Sequence, residues 1–187
     1  MNDDIRLVEF KQELLSKIWE IGFWEERPEW KNWDGPYFDD DYQKYDTLET
    51  FLDKESKFFL KDNKRCILYK EEPIGMVSMY WENEKTRWLN IGITLYSNQK
   101  WGKGLGTKAL KLWIDYIFNH VNHLEHIGLT TWSGNHRMMR VAEKIGMKKE
   151  AQIRKVRFHN NVYYDSVSYG ILRDEWQLEF ATKNSSL

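Results

Sequence analysis

Apolar residues early in the chain recur every three or four positions, which is the spacing of a helix with one buried face. The first run predicts a helix that ends at Gly22 and carries Leu14, Leu15, Ile18 and Trp19. A loop over 28–41 follows, and then Asp46 and Glu49 match the spacing of a capping box for a second helix. That helix carries Leu48, Phe51, Leu52, Phe58 and Phe59. The first sixty residues are therefore expected to be helical.

Beyond residue 65 the apolar residues come in short runs that are typical of strands. Residues 66–69 and 74–81 flank a turn at 71–73, so they predict an antiparallel hairpin. Residues 88–96 predict a further strand, and glycines follow it at positions 102, 104 and 106.

The second half of the chain alternates helices with strands. After the glycines, a helix is predicted by apolar residues at helical spacing, namely Leu110, Trp113, Ile114, Ile117, Phe118 and Val121. His126–Trp132 predicts a strand, after which Asn135 opens a helix that Gly146 ends. The last two predicted strands, 147–158 and 162–172, flank asparagines that tolerate the backbone of a hairpin turn.

This order of elements sets the fold class, because a helix between two adjacent strands makes them parallel. The sequence predicts an α+β fold with a mixed, mostly antiparallel sheet of about six or seven strands, one parallel pair and about four helices. No repeat or linker interrupts the chain, so 1–187 is expected to be one domain with a core at about 5–178 and a short polar tail.

The composition argues against several classes of protein. Lys and Arg (28) balance Asp and Glu (29), which argues against general nucleic-acid binding. Cys66 is the one cysteine, and no apolar run approaches the roughly 18 residues of a membrane span. We therefore expect a cytoplasmic protein with no membrane contact and no metal site. Its 10 Trp, 10 Tyr and 9 Phe exceed what a core of this size packs, so an aromatic ligand cleft is expected.

Charge is nevertheless distributed unevenly along the chain. Residues 25–49 hold nine acids against three bases, a net charge of −6, and residues 135–157 hold eight bases against two acids, a net charge of +6. Each run alone is compatible with a solvated surface. Together they suggest that the protein receives one cationic and one anionic ligand.

The stretch 89–107 carries the clearest chemical signal, because a strand passes through a glycine-rich turn into the start of a helix. Glycines let backbone N–H groups converge on an anion, and the helix end adds a positive partial charge, so phosphate binding is predicted. A Walker loop is excluded because the chain has no Gly-Lys-Ser/Thr triplet. A dinucleotide fingerprint is disfavoured because Thr107 stands where its third glycine belongs.

Three segments resemble the GNAT superfamily of acetyl-CoA-dependent N-acetyltransferases. Residues 99–104 (Gln-Lys-Trp-Gly-Lys-Gly) match that family's pyrophosphate loop, Gln/Arg-x-x-Gly-x-Gly/Ala. Asn135 together with 142–147 (Ala-Glu-Lys-Ile-Gly-Met) is similar to the segment that follows in the family. Residues 164–167 (Tyr-Asp-Ser-Val) and the pair at 175–176 (Glu-Trp) resemble its ribosomal-protein N-terminal acetyltransferase branch. The resemblance covers about residues 5–178.

The resemblance implies the GNAT fold, with its parallel strands splayed apart, and direct attack of an unprotonated amine on the thioester of acetyl-CoA. It implies that the backbone at 93–95 holds the pantetheine, the loop holds the pyrophosphate, and Asn135 reaches the pantetheine arm or an ordered water. The cofactor-binding residues are then Ile93, Thr94, Leu95, Gln99, Lys100, Trp101, Gly102, Lys103, Gly104, Leu105, Gly106, Thr107 and Asn135. Asn135 is equally compatible with a plain helix cap.

The chain departs from the family where protons are handled. Asn90 stands where many relatives have a glutamate, and an amide cannot accept a proton at neutral pH. Methionines occupy 138 and 139, where many relatives have a Tyr or Ser. The candidates for the missing roles are Glu82, Tyr163 or Tyr164, and an ordered water chain. The predicted catalytic residues are Asn135, Glu82 and Tyr164.

The acceptor is expected at the segment 24–45, because the family's first two helices and their connection cover the amine cleft. Aromatic faces and carboxylates suit an ammonium group. The candidate residues are Trp24, Glu25, Glu29, Trp30, Trp33 and Tyr37. A protein N-terminus, a polyamine or an aminoglycoside would each qualify. The alternative is an aromatic mini-core under a loop.

Two further functions use the same fold without catalysis. One is an acyl-CoA-binding sensor, which the missing acid and base favour, and the other is an adaptor whose aromatic loop binds a partner. The expected partners of the enzyme are acetyl-CoA and an amine, without nucleic acid or membrane, and the expected state is a monomer or homodimer.

Overall fold

A computed structural model describes residues 4–38 and 42–184, with side chains as far as residue 178. The strands are β1 Ile5–Val8, β2 Lys64–Tyr69, β3 Glu72–Asn83, β4 Trp88–Leu95, β5 His126–Trp132, β6 Lys148–His159 and β7 Val162–Leu172. The α-helices are α1 Gln12–Gly22, α2 Leu48–Phe59, α3 Leu105–His120, α4 His136–Lys144 and α5 Arg173–Asn184. Single 3-10 turns lie at Glu29–Asn32 and Asn98–Lys100.

The strands form one seven-stranded sheet in the order β1-β2-β3-β4-β5-β7-β6. The pairs β1–β2, β2–β3, β5–β7 and β6–β7 are antiparallel. Strands β4 and β5 are parallel through two residue pairs, Leu89 with Ile127 and Asn90 with Gly128. The predicted mixed, mostly antiparallel fold with one parallel pair is therefore confirmed.

Three local expectations were wrong. The first sixty residues also contain β1, which pairs with β2 and was missed because four residues give too short an alternation. The cap of α2 is Thr47 rather than Asp46, since the Thr47 hydroxyl accepts the Thr50 N–H at 3.2 Å. The helix α5 was not anticipated. The acids at 39–41 lie outside the described residues.

The chain divides into two compact units, 1–78 with 92–112 and 79–91 with 113–187. In the first unit, aromatic rings pack around Phe23 at centroid distances of 5.1–6.5 Å, namely Trp30, Tyr42, Tyr45, Phe51, Phe59 and Tyr96. Cys66 is buried in the same cluster, and burial raises the pKa of its thiol to about 12. Much of the aromatic surplus in the sequence therefore forms a core.

In the second unit, the buried face of α3 carries Trp113, Ile114 and Ile117, all fully buried. Gly146 ends α4 with a left-handed φ of +89°, and Asn160 and Asn161 form the last hairpin turn at φ +49° and +61°. These left-handed positions agree with the residue types that the sequence placed there.

Arg173, the first residue of α5, ties the end of α3 to the loop that follows. Its guanidinium donates to the carbonyl oxygens of Phe118, Val121 and Leu124 at 2.7–2.8 Å and lies over the Phe118 ring at 4.8 Å. Phe118 lies in the last turn of α3, where carbonyls have no partner within the helix, so Arg173 satisfies an acceptor there. It also adds a charged donor at the Val121 carbonyl, which accepts the Leu124 N–H as well, at 3.0 Å.

We expect Arg173→Ala to lower the free energy of unfolding by about 2–4 kcal/mol, because it leaves three partly buried carbonyls without a charged donor. Arg173→Lys should recover only part of the loss, since an ammonium cannot reproduce the guanidinium fork. Urea unfolding followed by circular dichroism measures both variants.

Arg87→Ala is the matched control, because the exposed Arg87 reaches the same loop through one long bond of 3.4 Å to the His123 carbonyl. This variant should change stability by less than about 0.5 kcal/mol. Equal losses in Arg87→Ala and Arg173→Ala would contradict the role given to Arg173.

Candidate active site

The glycine loop between β4 and α3 has the backbone that an anion site needs. Gly102 and Gly104 adopt left-handed φ angles of +74° and +75°, which side chains rarely tolerate. A Cβ added at either glycine would meet no protein atom within 4 Å. The loop therefore has open space beside two glycines immediately before the first turn of α3, whose amides lack partners within the helix.

Side chains within the first unit fix the path of this loop. The Trp101 indole N–H donates to the Leu95 carbonyl at 2.9 Å, so the loop folds back on the end of β4. The Lys100 ammonium lies 3.9 Å from the Glu72 carboxylate and over the Tyr69 ring at 5.2 Å. Because Lys100 is paired there, the exposed Lys103 and the backbone amides are the groups of the loop that can attract an anion.

The end of β4 passes very close to β3 at Gly75. A Cβ on Gly75 would overlap the Thr94 carbonyl oxygen, and the Tyr96 N–H donates to the Ile74 carbonyl at 3.0 Å. Gly75 thus sets the path of the strand that is expected to hold the pantetheine. The sequence reasoning missed this glycine, although an isolated glycine inside an apolar strand signals a close backbone approach.

Asn90 is buried, and its amide holds a carboxylate from the neighbouring strand. Its Nδ2 donates to Glu82 Oε1 at 2.9 Å, and it also hydrogen-bonds Tyr80, whose pKa is raised chiefly by burial. A Cβ on Gly128 would overlap Asn90 Oδ1, so the facing strand has glycine where this side chain lies. The structure therefore brings together two residues that the sequence considered separately, Asn90 and the candidate base Glu82.

Asn135 caps α4, as one of its two predicted roles requires. Its Oδ1 accepts the Met138 N–H at 3.0 Å, and its own N–H donates to the Trp132 carbonyl at 2.8 Å. The Trp132 ring folds over Gly134, where a Cβ would overlap it. Trp132 was not among the predicted residues, and its only signal was its place at the end of a strand.

The two candidate tyrosines on β7 differ in their surroundings. Tyr164 is half-buried and meets the Trp132 ring edge-on at 4.8 Å. Tyr163 is 60% exposed and packs on Phe158 instead. Tyr164 is thus joined through Trp132 to the loop that carries Asn135.

The acceptor segment is partly core and partly surface. Trp30 is buried, and its indole N–H donates to the Gly22 carbonyl at 2.8 Å, so Trp30 supports the segment from within as the mini-core alternative expects. Trp24 is 55% exposed, and Glu25 and Glu29 are exposed as well. Trp33 and Tyr37 are half-buried.

Two contacts in this segment involve its acidic residues. The Tyr42 hydroxyl donates to the Glu25 carbonyl at 2.6 Å, and burial together with the charges of Glu25 and Glu26 raises the Tyr42 pKa to about 12. Asn98 Nδ2 donates to Glu29 Oε2 at 2.6 Å. Glu29 therefore connects the acceptor segment to the first turn of the cofactor loop within the first unit.

Across residues 4–38 and 42–184, no helix has both the length and the apolar character to cross a membrane. Within those same ranges, no three His, Cys, Asp or Glu side chains are grouped so that they could hold a metal ion.

Comparison with known proteins finds acetyltransferases. Residues 5–148 match the family model described as "Acetyltransferase (GNAT) domain". The "Putative ribosomal N-acetyltransferase YdaF" of Bacillus subtilis (strain 168) is 29% identical over 113 residues, which cover 60% of this chain and 61% of that protein. The spermidine N(1)-acetyltransferase of Escherichia coli (strain K12) is 25% identical over 152 residues, which cover 81% of this chain and 80% of that protein.

A solved structure confirms the fold. The spermidine N-acetyltransferase from Vibrio cholerae, in complex with CoA and spermine, superimposes with a TM-score of 0.70 at 21% identity and covers 94% of this chain and 99% of its own. The family model matches more than half of the chain and agrees with the resemblance drawn from the glycine loop. The chain therefore belongs to the GNAT acetyltransferase family and is an N-acetyltransferase that transfers an acetyl group from acetyl-CoA to an amine.

Proposed function

We propose that this enzyme acetylates a positively charged primary amine, held by the acidic segment 24–45, while the loop 99–107 binds the pyrophosphate of acetyl-CoA. The observation that carries the proposal is the left-handed pair Gly102 and Gly104, with open space beside both and α3 beginning at the next residue. Such a turn suits an anion bound by backbone amides. When bound, acetyl-CoA supplies the thioester that the amine attacks.

The strand end and the α4 cap hold the rest of the cofactor in this proposal. Ile93 and Leu95 turn their side chains toward the start of α3, each reaching to within 4 Å of a Cβ position on Gly106. Their backbone, with that of Thr94, is assigned to the pantetheine arm. The Asn135 side chain, oriented by its bond to the α4 backbone, is assigned to the same arm or to an ordered water.

Proton transfer falls to Glu82 and Tyr164. Asn90 cannot accept a proton, but its amide donates to the Glu82 carboxylate at 2.9 Å and fixes it. Glu82, on β3, is therefore assigned the role of general base that a glutamate at position 90 would have. Glu82 takes the proton from the ammonium, the amine nitrogen then bonds to the acetyl carbon, and the carbon–sulfur bond breaks. The Tyr164 hydroxyl gives a proton to the departing sulfur, and the second proton that the acetylated nitrogen loses restores that hydroxyl.

Charge favours a polyamine as the acceptor. Nine acids against three bases over 25–49 suit a ligand with several ammonium groups, and the exposed Trp24 offers an aromatic face. Similarity to a spermidine acetyltransferase over 81% of the chain supports this choice. A protein N-terminus is the second candidate, favoured by the segments 164–167 and 175–176 and by the relative named as ribosomal.

The cellular setting is part of the proposal. One cysteine, buried and without a disulfide, suits the reducing cytoplasm. A single domain over 1–187 and a monomeric or homodimeric state stay predictions.

Thiol release from acetyl-CoA, measured with a panel of spermidine, a ribosomal-protein N-terminal peptide and an aminoglycoside, tests the proposed acceptor. Turnover with spermidine that weakens as salt rises supports the polyamine, because screening reduces attraction between separated charges. Turnover with the peptide alone supports the second candidate. Acetyl-CoA binding without turnover would support a sensor, and neither binding nor turnover would support an adaptor.

Gly104→Val should weaken acetyl-CoA binding by at least about tenfold while the protein remains folded. The branched side chain enters the open space beside the loop and strains a left-handed backbone. Isothermal titration calorimetry measures affinity, and circular dichroism reports folding. Gly146→Val is the matched control, since it strains a backbone at φ +89° after α4 and should leave affinity unchanged. Wild-type affinity in folded Gly104→Val would refute the loop assignment.

Glu82→Gln should slow acetylation more at pH 7 than at pH 9. An aliphatic amine with a pKa near 10 is protonated at pH 7, so without the carboxylate only its small neutral fraction reacts. The wild-type kcat/KM should be nearly flat from pH 7 to 9, and that of the variant should rise with about unit slope. Glu84→Gln, in the turn between β3 and β4, is the control. Parallel pH profiles for wild type and Glu82→Gln would exclude Glu82 as the base.

The double change Glu25→Gln with Glu26→Gln should raise KM for spermidine several-fold and leave KM for acetyl-CoA within about twofold. Both acids are exposed in the acceptor segment, so their loss removes attraction for a cation. Steady-state kinetics at low salt measures both constants, and Glu13→Gln with Glu125→Gln removes the same charge elsewhere. A change confined to the acetyl-CoA constant would show that the segment serves the other substrate.

A further inference from the structure

One carboxylate in the second unit holds an irregular part of the sheet edge. Strand β6 changes register against β7 between Ile153 and Arg157, so residues 154–156 bulge opposite Asp165. Lys155 in this bulge has a left-handed φ of +56°, an unfavourable conformation for a side chain of its size. Asp165 Oδ1 accepts the Lys155 N–H at 2.9 Å, which fixes the bulge.

The second carboxylate oxygen is also engaged. Asp165 Oδ2 accepts from Gln152 Nε2 at 2.6 Å. These two bonds, with that from Gln152 first, lower the pKa of Asp165, so the group stays ionised and is a poor proton carrier near neutral pH. Its place in the fold is therefore that of a fixed acceptor.

The backbone of Asp165 is joined to a different segment, the loop between β5 and α4. The Asp165 N–H donates to the Ser133 hydroxyl at 2.9 Å, and the Ser133 N–H donates to the Asp165 carbonyl at 2.9 Å. Ser133 directly follows Trp132 and stands two residues before Asn135. One residue thus connects the bulge of β6, strand β7 and the loop that leads to α4.

Tyr164 lies next to both residues of this connection, Asp165 and Ser133. It is the neighbour of Asp165 along β7, and its ring meets Trp132, the neighbour of Ser133, edge-on at 4.8 Å. The positions of Tyr164 and of the Asn135 loop are consequently set by the same two hydrogen bonds, which join the Asp165 backbone to the hydroxyl and the N–H of Ser133. Loosening the bulge would leave β7 held at Asp165 only by its two bonds to Ser133, so the Tyr164 hydroxyl would be less firmly placed.

The geometry points to Asp165 as the positioning residue for Tyr164: its carboxylate fixes the β6 bulge beside the backbone bonds to the Ser133 loop, and this places the Tyr164 hydroxyl for proton donation to the departing sulfur. This inference rests on the proposed role of Tyr164. Asp165 touches neither substrate in this account and acts only through the strand and loop it holds.

Kinetics of four variants on spermidine, or on whichever acceptor the thiol assay identifies, tests this inference. Asp165→Ala should lower kcat about tenfold or more, because small displacements of a reacting group are costly, and should leave KM for acetyl-CoA within about threefold. Asp165→Asn should recover most of kcat, since its amide oxygen can still accept the Lys155 N–H. Tyr164→Phe and the double variant Asp165→Ala/Tyr164→Phe complete a cycle in which the double variant should be no slower than Tyr164→Phe.

Glu150→Ala is the matched control. Glu150 lies at the other register shift of β6, where its carboxylate accepts from His126 at 2.9–3.0 Å rather than from the bulge at 154–156. Its kcat should stay within about threefold of the wild type. A drop equal to that of Asp165→Ala would show a general loss of the strand and overturn the inference.

Ser133→Ala keeps the test decisive if Asp165→Ala does not fold, because it removes the hydroxyl that accepts the Asp165 N–H and leaves the carboxylate in place. It should lower kcat in the same direction, with no further loss when Tyr164→Phe is added. Wild-type kcat in folded Asp165→Ala or in Ser133→Ala, or losses that add to that of Tyr164→Phe, would refute the inference. Absence of turnover in the wild-type protein would refute the proposed acceptor instead, and an unimpaired Tyr164→Phe would remove the role of Tyr164 on which the inference depends.

Discussion

The constraint on which the first unit depends is that β4 leads into a turn whose backbone must stay open, with empty space beside it. Side chains cannot occupy that space, and the chain meets the requirement with glycines in left-handed conformations directly before α3. The path of the chain on either side of this turn is also fixed. Gly75 lets the end of β4 lie against β3, and the Trp101 indole closes the loop onto Leu95. The polar turn is therefore held by an apolar and aromatic frame.

Local features of the fold were predictable from the sequence wherever one residue determines the conformation. The glycine loop, the α4 cap at Asn135 and the hairpin at Asn160 and Asn161 depend on backbone preferences that the residue type reveals. The strand β1 was not predictable in this way, because its four residues gain their strand conformation by pairing with β2.

The candidate site was predictable in its parts but not in its contacts. Which side chains meet across strands depends on register, so the bond between Asn90 and Glu82 could not be read from their separation of eight residues. Trp30 shows the same limit, since composition cannot distinguish an aromatic ring that lines a cleft from one in the core. Asp165 shows it too, because nothing in the sequence indicates that its carboxylate accepts the backbone N–H of Lys155 on the neighbouring strand.

The bond between Asn98 and Glu29 has a consequence for the two proposed substrate sites. It joins the turn before the glycine loop to the segment assigned to the acceptor, so ordering either one restricts the other. Binding free energies are reciprocal, and a gain in amine affinity on adding the cofactor must be matched by an equal gain in cofactor affinity on adding the amine. An amine affinity measured on the free protein would then understate the affinity that operates during turnover.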